Sequence, residues 1–339
     1  MGYRFVNDYA EGAHPRVLEL LASGGKMQEP GYGYDSLTAR AVELIRRETA
    51  SPDAAVHLVS GGTQANLTVL ASMLRPHQSV IAAHSAHIAV HETGAIEATG
   101  HKIHSCVSPD GKLSVDAIME VLAEHIDEHM VQPSVVFVSQ STEVGTIYSK
   151  AELTTISECC RDKGLYLYLD GARLGSALTC PTADMTLAEL SALTDVFYVG
   201  GTKNGALLGE AIVINKPALK ENFRFHLKQR GALIAKGRLL GAQFVALFED
   251  GLYFELAAHA NAMAGRLATG LTTQGIPLLV PQATNQVFPI LSNQRIAELE
   301  SDWGFMVWAR AGEEHSAIRL VTSWCTPVDA VDAFLDALR

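Results

Sequence analysis

The chain has 339 residues, 48% of them hydrophobic and 19% charged, enough apolar material for one large core or two unequal ones, which excludes disorder and small disulfide scaffolds. Its formal charge of −11, with thirteen His counted as neutral, repels phosphate backbones and anionic lipid, so neither nucleic acid nor a membrane is expected as a partner. The five Cys contain no C-x-x-C pair, which argues against a disulfide framework and a thiolate zinc site and fits a reducing cytoplasm.

The start of the chain lacks a basic stretch followed by an apolar run, and no later apolar run is long enough to span a bilayer. From about residue 54 to about residue 215, short β-branched or aromatic runs alternate with amphipathic stretches, the pattern of an α/β domain with a mostly parallel sheet. Runs at 56–59, 80–83, 102–106, 135–139, 165–170, 196–200 and 211–214 predict seven strands. Between them, helices are predicted over 65–74, 114–129 and 150–163, stopped by Pro76, Pro133 and Gly164. Positions 223–248 read as helical without strands, and a further helix is predicted over 252–271. Strand signals return at 286–291, 305–309 and 318–323 before a closing helix at 328–338. The expected organisation is a large domain over 1–248 and a smaller C-terminal α+β domain over 249–339, hinged in a long helix.

Three local patterns carry chemistry. The apolar strand at 165–170 ends in Asp170, followed by Gly171-Ala172-Arg173; a carboxylate at the C-terminal end of a buried strand stands where open α/β sheets bind ligands, although a turn or cap role is equally common there. The strand at 196–200 runs into Gly201-Thr202-Lys203-Asn204-Gly205, where a lysine flanked by small residues can be desolvated, lose its proton and act as an imine-forming nucleophile. Ser60-Gly61-Gly62-Thr63, between a strand and a helix, offers free amides and a positive helix end to a phosphate. Neither a Walker motif nor the G-x-G-x-x-G spacing is present. His84, His87 and His91 fall at helical spacing, as do His125 and His129, but no H-E-x-x-H motif accompanies them, so no metal site is expected. A phosphate pocket, a strand-end carboxylate and a loop lysine on one sheet together match what pyridoxal phosphate requires: an anchor, a partner for the pyridine nitrogen and an amine.

Gly12-Ala13-His14-Pro15, the segment Gln140 to Thr146, Asp170-Gly171-Ala172-Arg173, Gly200-Gly201-Thr202-Lys203-Asn204-Gly205 and Ser323-Trp324 resemble the low-specificity L-threonine aldolases and phenylserine aldolases. That resemblance implies the aspartate aminotransferase-like fold of pyridoxal phosphate enzymes and retro-aldol cleavage of β-hydroxy-α-amino acids to glycine and an aldehyde. It implies that Lys203 carries the cofactor, with Asp170 at its ring nitrogen, Gly62 and Thr63 at its phosphate, His87 stacked on its ring, and Thr202 and Arg173 also in contact with it. Arg173 and Arg319 would clamp the substrate carboxylate, and Asn7 would stand near it. Either His87 or His129 would be the base. Arg238 and Tyr32 would serve a neighbouring subunit's site, which implies a homo-oligomer, a dimer of dimers. Asn7-Asp8 replaces the family's usual Ser-Asp, and His91 replaces other polar residues, both on the substrate side. Gln140, Ser141 and Glu143 are expected near the ring without an assigned role. The competing readings are β-elimination or transamination on the same fold, a catalytically silent binding protein that keeps the fold and, most distantly, a His-based metal hydrolase.

Overall fold

The computed structural model describes residues 2–339. Seven strands form one sheet: β1 (Ala55–Val59), β2 (Gln78–Ala83), β3 (Ile103–Cys106), β4 (Gln132–Ser139), β5 (Tyr166–Asp170), β6 (Val196–Gly200) and β7 (Glu210–Ile214). Their spatial order is β1-β7-β6-β5-β4-β2-β3, with β7 antiparallel to both its neighbours and the remaining pairs parallel. The apolar runs exist because both faces of this sheet are covered. Leu167, Leu169, Phe197 and Val199 enter one core, whereas Tyr168, Val196 and Tyr198 enter the core on the opposite face. The same two-residue period sends Asp170 to the face of Tyr168, where the helix Gly62–Met73 packs.

Register then brings neighbours together. Leu169 of β5 pairs with Phe197 of β6, so the next position on each strand sets Asp170 beside Tyr198. The chain can turn sharply after Asp170 because Gly171 passes over the Tyr198 carbonyl: a Cβ there would stand 1.9 Å from that oxygen.

Several expectations shift. The helix predicted over 114–129 ends at Glu124, so His125 and His129 do not share a helical face. The stretch at 223–248 is two helices, Phe223–Gln229 and Arg238–Phe248, separated by a segment holding Gly231 and Gly237. The helix Lys150–Lys163 stops at Gly164, whose φ of 69° takes the left-handed conformation that glycine adopts at low cost.

The C-terminal part carries a second sheet of β8 (Gln286–Val287), β9 (Ile290–Ser292), β10 (Met306–Arg310) and β11 (His315–Val321). The single strand predicted at 286–291 is interrupted by Pro289, which has no N–H to donate to a ladder. The 22-residue helix Leu252–Thr273 runs unbroken through both parts: Leu252 and Leu256 belong to the large core, whereas Met263, Leu267 and Leu271 belong to the small one. Phe5 also packs in the small core, its N–H donating to the Gly304 carbonyl at 2.6 Å and its carbonyl accepting from Val321 N at 2.9 Å. The beginning of the chain is thus built into its end. Among the described residues, no helix is long and apolar enough to cross a membrane.

Candidate active site

The turn after β1, the loops after β2 and β4, the ends of β5 and β6, and β10 with β11 surround a cavity of ≈ 500 Å³, the size of a typical small-molecule site. It lies at the carboxyl ends of the parallel strands, the usual place for a ligand on an open α/β sheet. Gly62, Thr63, His87, Asp170, Arg173, Thr202, Lys203 and Arg319 all line it.

At one wall, Gly61 caps the helix Gly62–Met73 without a side-chain hydrogen bond, leaving first-turn amides for an anion. Gly62 fits closely: a Cβ there would meet the Tyr198 hydroxyl at 3.1 Å. On the floor, Asp170 is 4% exposed. Its Oδ1 accepts from the Tyr198 hydroxyl at 2.5 Å and from Ala172 N at 2.9 Å, while Oδ2 accepts from Asn66 Nδ2 at 3.2 Å.

Lys203 is partly buried. Burial pushes its amine below its ordinary pKa and Arg173 adds to this, against the opposing pull of Asp8, Asp170 and Glu210. The loop bearing it is pinned by Glu210, which accepts from Gly201 N at 3.0 Å and from the Thr202 hydroxyl at 2.8 Å. Burial raises the Glu210 carboxyl, a shift that Lys203 and these donors oppose.

Arg173 and Arg319 face the cavity from different parts of the chain. Arg173 donates from Nε and Nη2 to Asp8 at 2.7 and 3.1 Å, and Asn285 Nδ2 reaches the same carboxylate at 2.9 Å. Arg319 stands over the Trp308 ring with 5.2 Å between guanidinium carbon and ring centroid. Ser141 Oγ, Glu143 Oε2 and Arg319 Nε are buried polar atoms without a hydrogen-bond partner, and their residues line the cavity. Such atoms are rare in folded proteins unless a ligand satisfies them. His91 also lines the cavity, its ring centroid 5.5 Å from that of His87.

Four predicted residues lie elsewhere. His129 sits in the loop before β4, whereas the cavity opens beyond Ser139 at the other end of that strand; eight residues at about 3.3 Å each separate them. It is therefore removed as a candidate base of this chain's own cavity. Asn7 does not line the cavity and accepts from Tyr9 N at 3.0 Å; its neighbour Asp8 makes the contact with Arg173. Tyr32 is 44% exposed and lies under the Lys228 amine at 4.6 Å. Arg238 donates to the Met27 carbonyl at 2.6 Å, also outside the cavity.

The profile of the beta-eliminating lyase family matches residues 22–294. The low-specificity L-threonine aldolase of a Pseudomonas species is 36% identical over 95% of this chain and 93% of its own length, and that of Pseudomonas aeruginosa is 35% identical over 97% and 94%. The chain belongs to this family. A solved structure of Leishmania major threonine aldolase superposes with a TM-score of 0.98 at 51% identity, covering 99% of this chain and 98% of that one. An aspartate aminotransferase of Thermus thermophilus, at 16% identity and a TM-score of 0.74, covers 100% of this chain and 91% of its own and shows the shared fold. Enzymes of this family and fold depend on pyridoxal phosphate.

Asn66, Glu92, Tyr198 and Glu210 support the site without having been marked by any sequence motif. Asn66 is fully buried on a helix whose other buried residues, Thr68 apart, are apolar, and an amide in that company was the one signal that could have revealed it.

Proposed function

We propose that this chain cleaves L-threonine, L-allo-threonine or an aryl analogue such as β-phenylserine by a retro-aldol reaction, yielding glycine and an aldehyde. The observation that carries this reading is the convergence of Lys203, Asp170, His87 and two arginines on one cavity.

The wall atoms fit pyridoxal phosphate. Gly62, Thr63 and the helix end would hold its phosphate, Thr202 would stand beside the lysine that carries it, and Asp170 would face its ring nitrogen. When bound, the cofactor supplies an acceptor for the electron pair left on Cα as the Cα–Cβ bond breaks. Asp170, already fixed by Tyr198 and Ala172, would set its carboxyl group against the ring nitrogen. Lys203, whose amine burial pushes below its ordinary pKa, serves as the nucleophile and can pass a proton at Nζ. Arg173 and Arg319 bind the substrate carboxylate with permanent charge and forked donors. His87 takes the β-hydroxyl proton.

Tyr32 and Arg238 fit a role at a neighbouring subunit's cavity, since neither lines this chain's own. This supports a homo-oligomer, a dimer of dimers, whose mass light scattering measures.

The deciding experiment is incubation of the cofactor-loaded protein with L-threonine. Glycine and acetaldehyde support the aldolase, whereas 2-oxobutanoate and ammonia would replace it with β-elimination. A Lys203→Ala variant should lose the visible colour of the bound cofactor together with turnover; full activity in that variant would refute the reading.

A further inference from the structure

His87 does not stand alone in the cavity wall. Its Nδ1 lies 2.8 Å from Oε1 of Glu92, whose side chain is wholly buried. The same Oε1 accepts from Asn66 Nδ2 at 2.7 Å, and that nitrogen also reaches Asp170 Oδ2 at 3.2 Å. One amide thus bridges two carboxylates.

The orientation of that amide follows from its partners. Asn66 Oδ1 accepts from the Tyr168 hydroxyl at 2.8 Å, and turning the amide over would press its oxygen against both Glu92 and Asp170. Glu92 Oε1, already accepting from Asn66, meets Nδ1 as an acceptor with lone pairs to spare, and a hydrogen on Nδ1 is the one arrangement in which an ionised Glu92 and the ring satisfy each other. The other ring nitrogen, on the edge away from Glu92, is left free. The backbone holds this arrangement in place: the His87 N–H donates to Glu143 Oε1 at 3.0 Å, and Thr93, immediately after Glu92, takes φ 53°, a costly conformation for a β-branched residue.

We infer that Glu92, seated by Asn66, is the positioning residue that fixes His87 as the Nδ1–H form and leaves Nε2 to exchange a proton with substrate. The inference rests on the aldolase reading for what is exchanged, but not for the state of the ring. When Nε2 takes the β-hydroxyl proton, the resulting imidazolium is held against a buried carboxylate, the logic by which an aspartate supports the histidine of a hydrolase triad. Glu92 Oε2 has no partner, so the two groups on Oε1 are its whole hydrogen-bonding environment among the described residues. Other ionisable groups around His87 are Glu143 from the loop after β4, His91 on the same turn and Asp170 through Asn66; Lys203 and Arg319 act on His91.

The test uses cofactor-loaded protein with 15N-labelled histidine. Imidazole spectra of the wild type should show His87 protonated at Nδ1, with His87→Asn supplying the assignment. In Glu92→Leu, Nδ1 loses its acceptor: the Nδ1–H signal should give way to Nε2–H and kcat should fall on the order of 100-fold, while cofactor colour persists and KM stays within about 3-fold. Should the leucine variant fail to fold, Glu92→Gln keeps an acceptor but removes the charge. Its acid limb in kcat/KM should then move to lower pH, and an unmoved limb would overturn the proposal. A folded, coloured Glu92→Leu with kcat within about 2-fold of wild type would also overturn it, as would a wild-type His87 lacking a proton on Nδ1. If no variant or wild type forms glycine, the aldolase reading fails by itself, and the ring spectra still decide the role of Glu92.

Discussion

Asp8 and Arg173, 165 positions apart, form a two-pronged ion pair that leaves the aspartate side chain 1% and the arginine side chain 12% exposed. The aspartate holds a guanidinium in place before any substrate arrives.

Replacing Asp8 by Asn should therefore be felt in both stability and binding. Burial works against ionisation of Asp8, but Arg173 and Lys203 outweigh it and hold the carboxyl below its usual 3.8. A carboxyl depressed on folding contributes stability above its unfolded pKa and loses it as pH falls through the folded value. Asp8→Asn is expected to cost about 3 kcal/mol near neutrality, with the difference closing in strong acid. Urea unfolding of both proteins at the two pH extremes checks this, and KM for L-threonine should rise in the variant.

Tyr198→Phe removes the 2.5 Å hydrogen bond to Asp170 and leaves Ala172 N and Asn66 in place. Loss of one hydrogen bond to a charged group costs about 1.5 kcal/mol or more, so kcat should drop roughly tenfold while the cofactor colour remains. Steady-state kinetics with spectra of the same samples would show whether the phenol merely fills space.

His129→Ala is predicted to leave kcat/KM within about 2-fold of wild type. The residue lies at the far end of β4 from the cavity. A large loss of kcat would mean that the loop reaches another subunit's site.

Glu143 gives a pH prediction of opposite sign to Asp8. Burial, and then Asp170, raise its carboxyl above the usual 4.5. A carboxyl raised on folding gives stability that is complete below its unfolded pKa and lost as pH rises through the folded one. Glu143→Gln, neutral throughout and able to keep the contacts from Ser139 and His87 N, should raise the melting temperature at mildly alkaline pH. The gain should vanish near pH ~4, as calorimetry at both values would show.

The residues legible in the sequence share a physical reason. Asp170 and Lys203 end or follow strands buried on both faces, and such strands read as apolar runs whose ends point to the ligand side. Asn66 and Tyr198 were not legible because their contacts close only through the sheet: Asn66 meets Tyr168 and Asp170 across 102 and 104 positions, and no local period marks such a meeting; Glu92 meets His87 only five positions away, but in an irregular turn that no periodic pattern marks. The pairing of His125 with His129 on one helical face failed because periodicity carried a helix past Glu124, where the chain in fact turns out of it. Tyr32 and Arg238 belong to a surface whose meaning depends on a second copy, which no reading of one chain supplies. The break at Pro289 was visible as a residue, but its cost to the ladder was not weighed against the apolar pattern around it.

The seating of Phe5 against Gly304 and Val321 bears on the order in which the enzyme is made. Chains leave the ribosome from the amino end, and the large sheet is complete once Ile214 has emerged. At that moment Phe5 has no seat, and Asp8, three residues on, still lacks Asn285, its partner just ahead of β8. The segment that steadies the substrate-binding arginine is thus synthesised first and fixed last. A nascent chain with a finished sheet has no finished clamp, so competence for substrate comes only with release of the final strands.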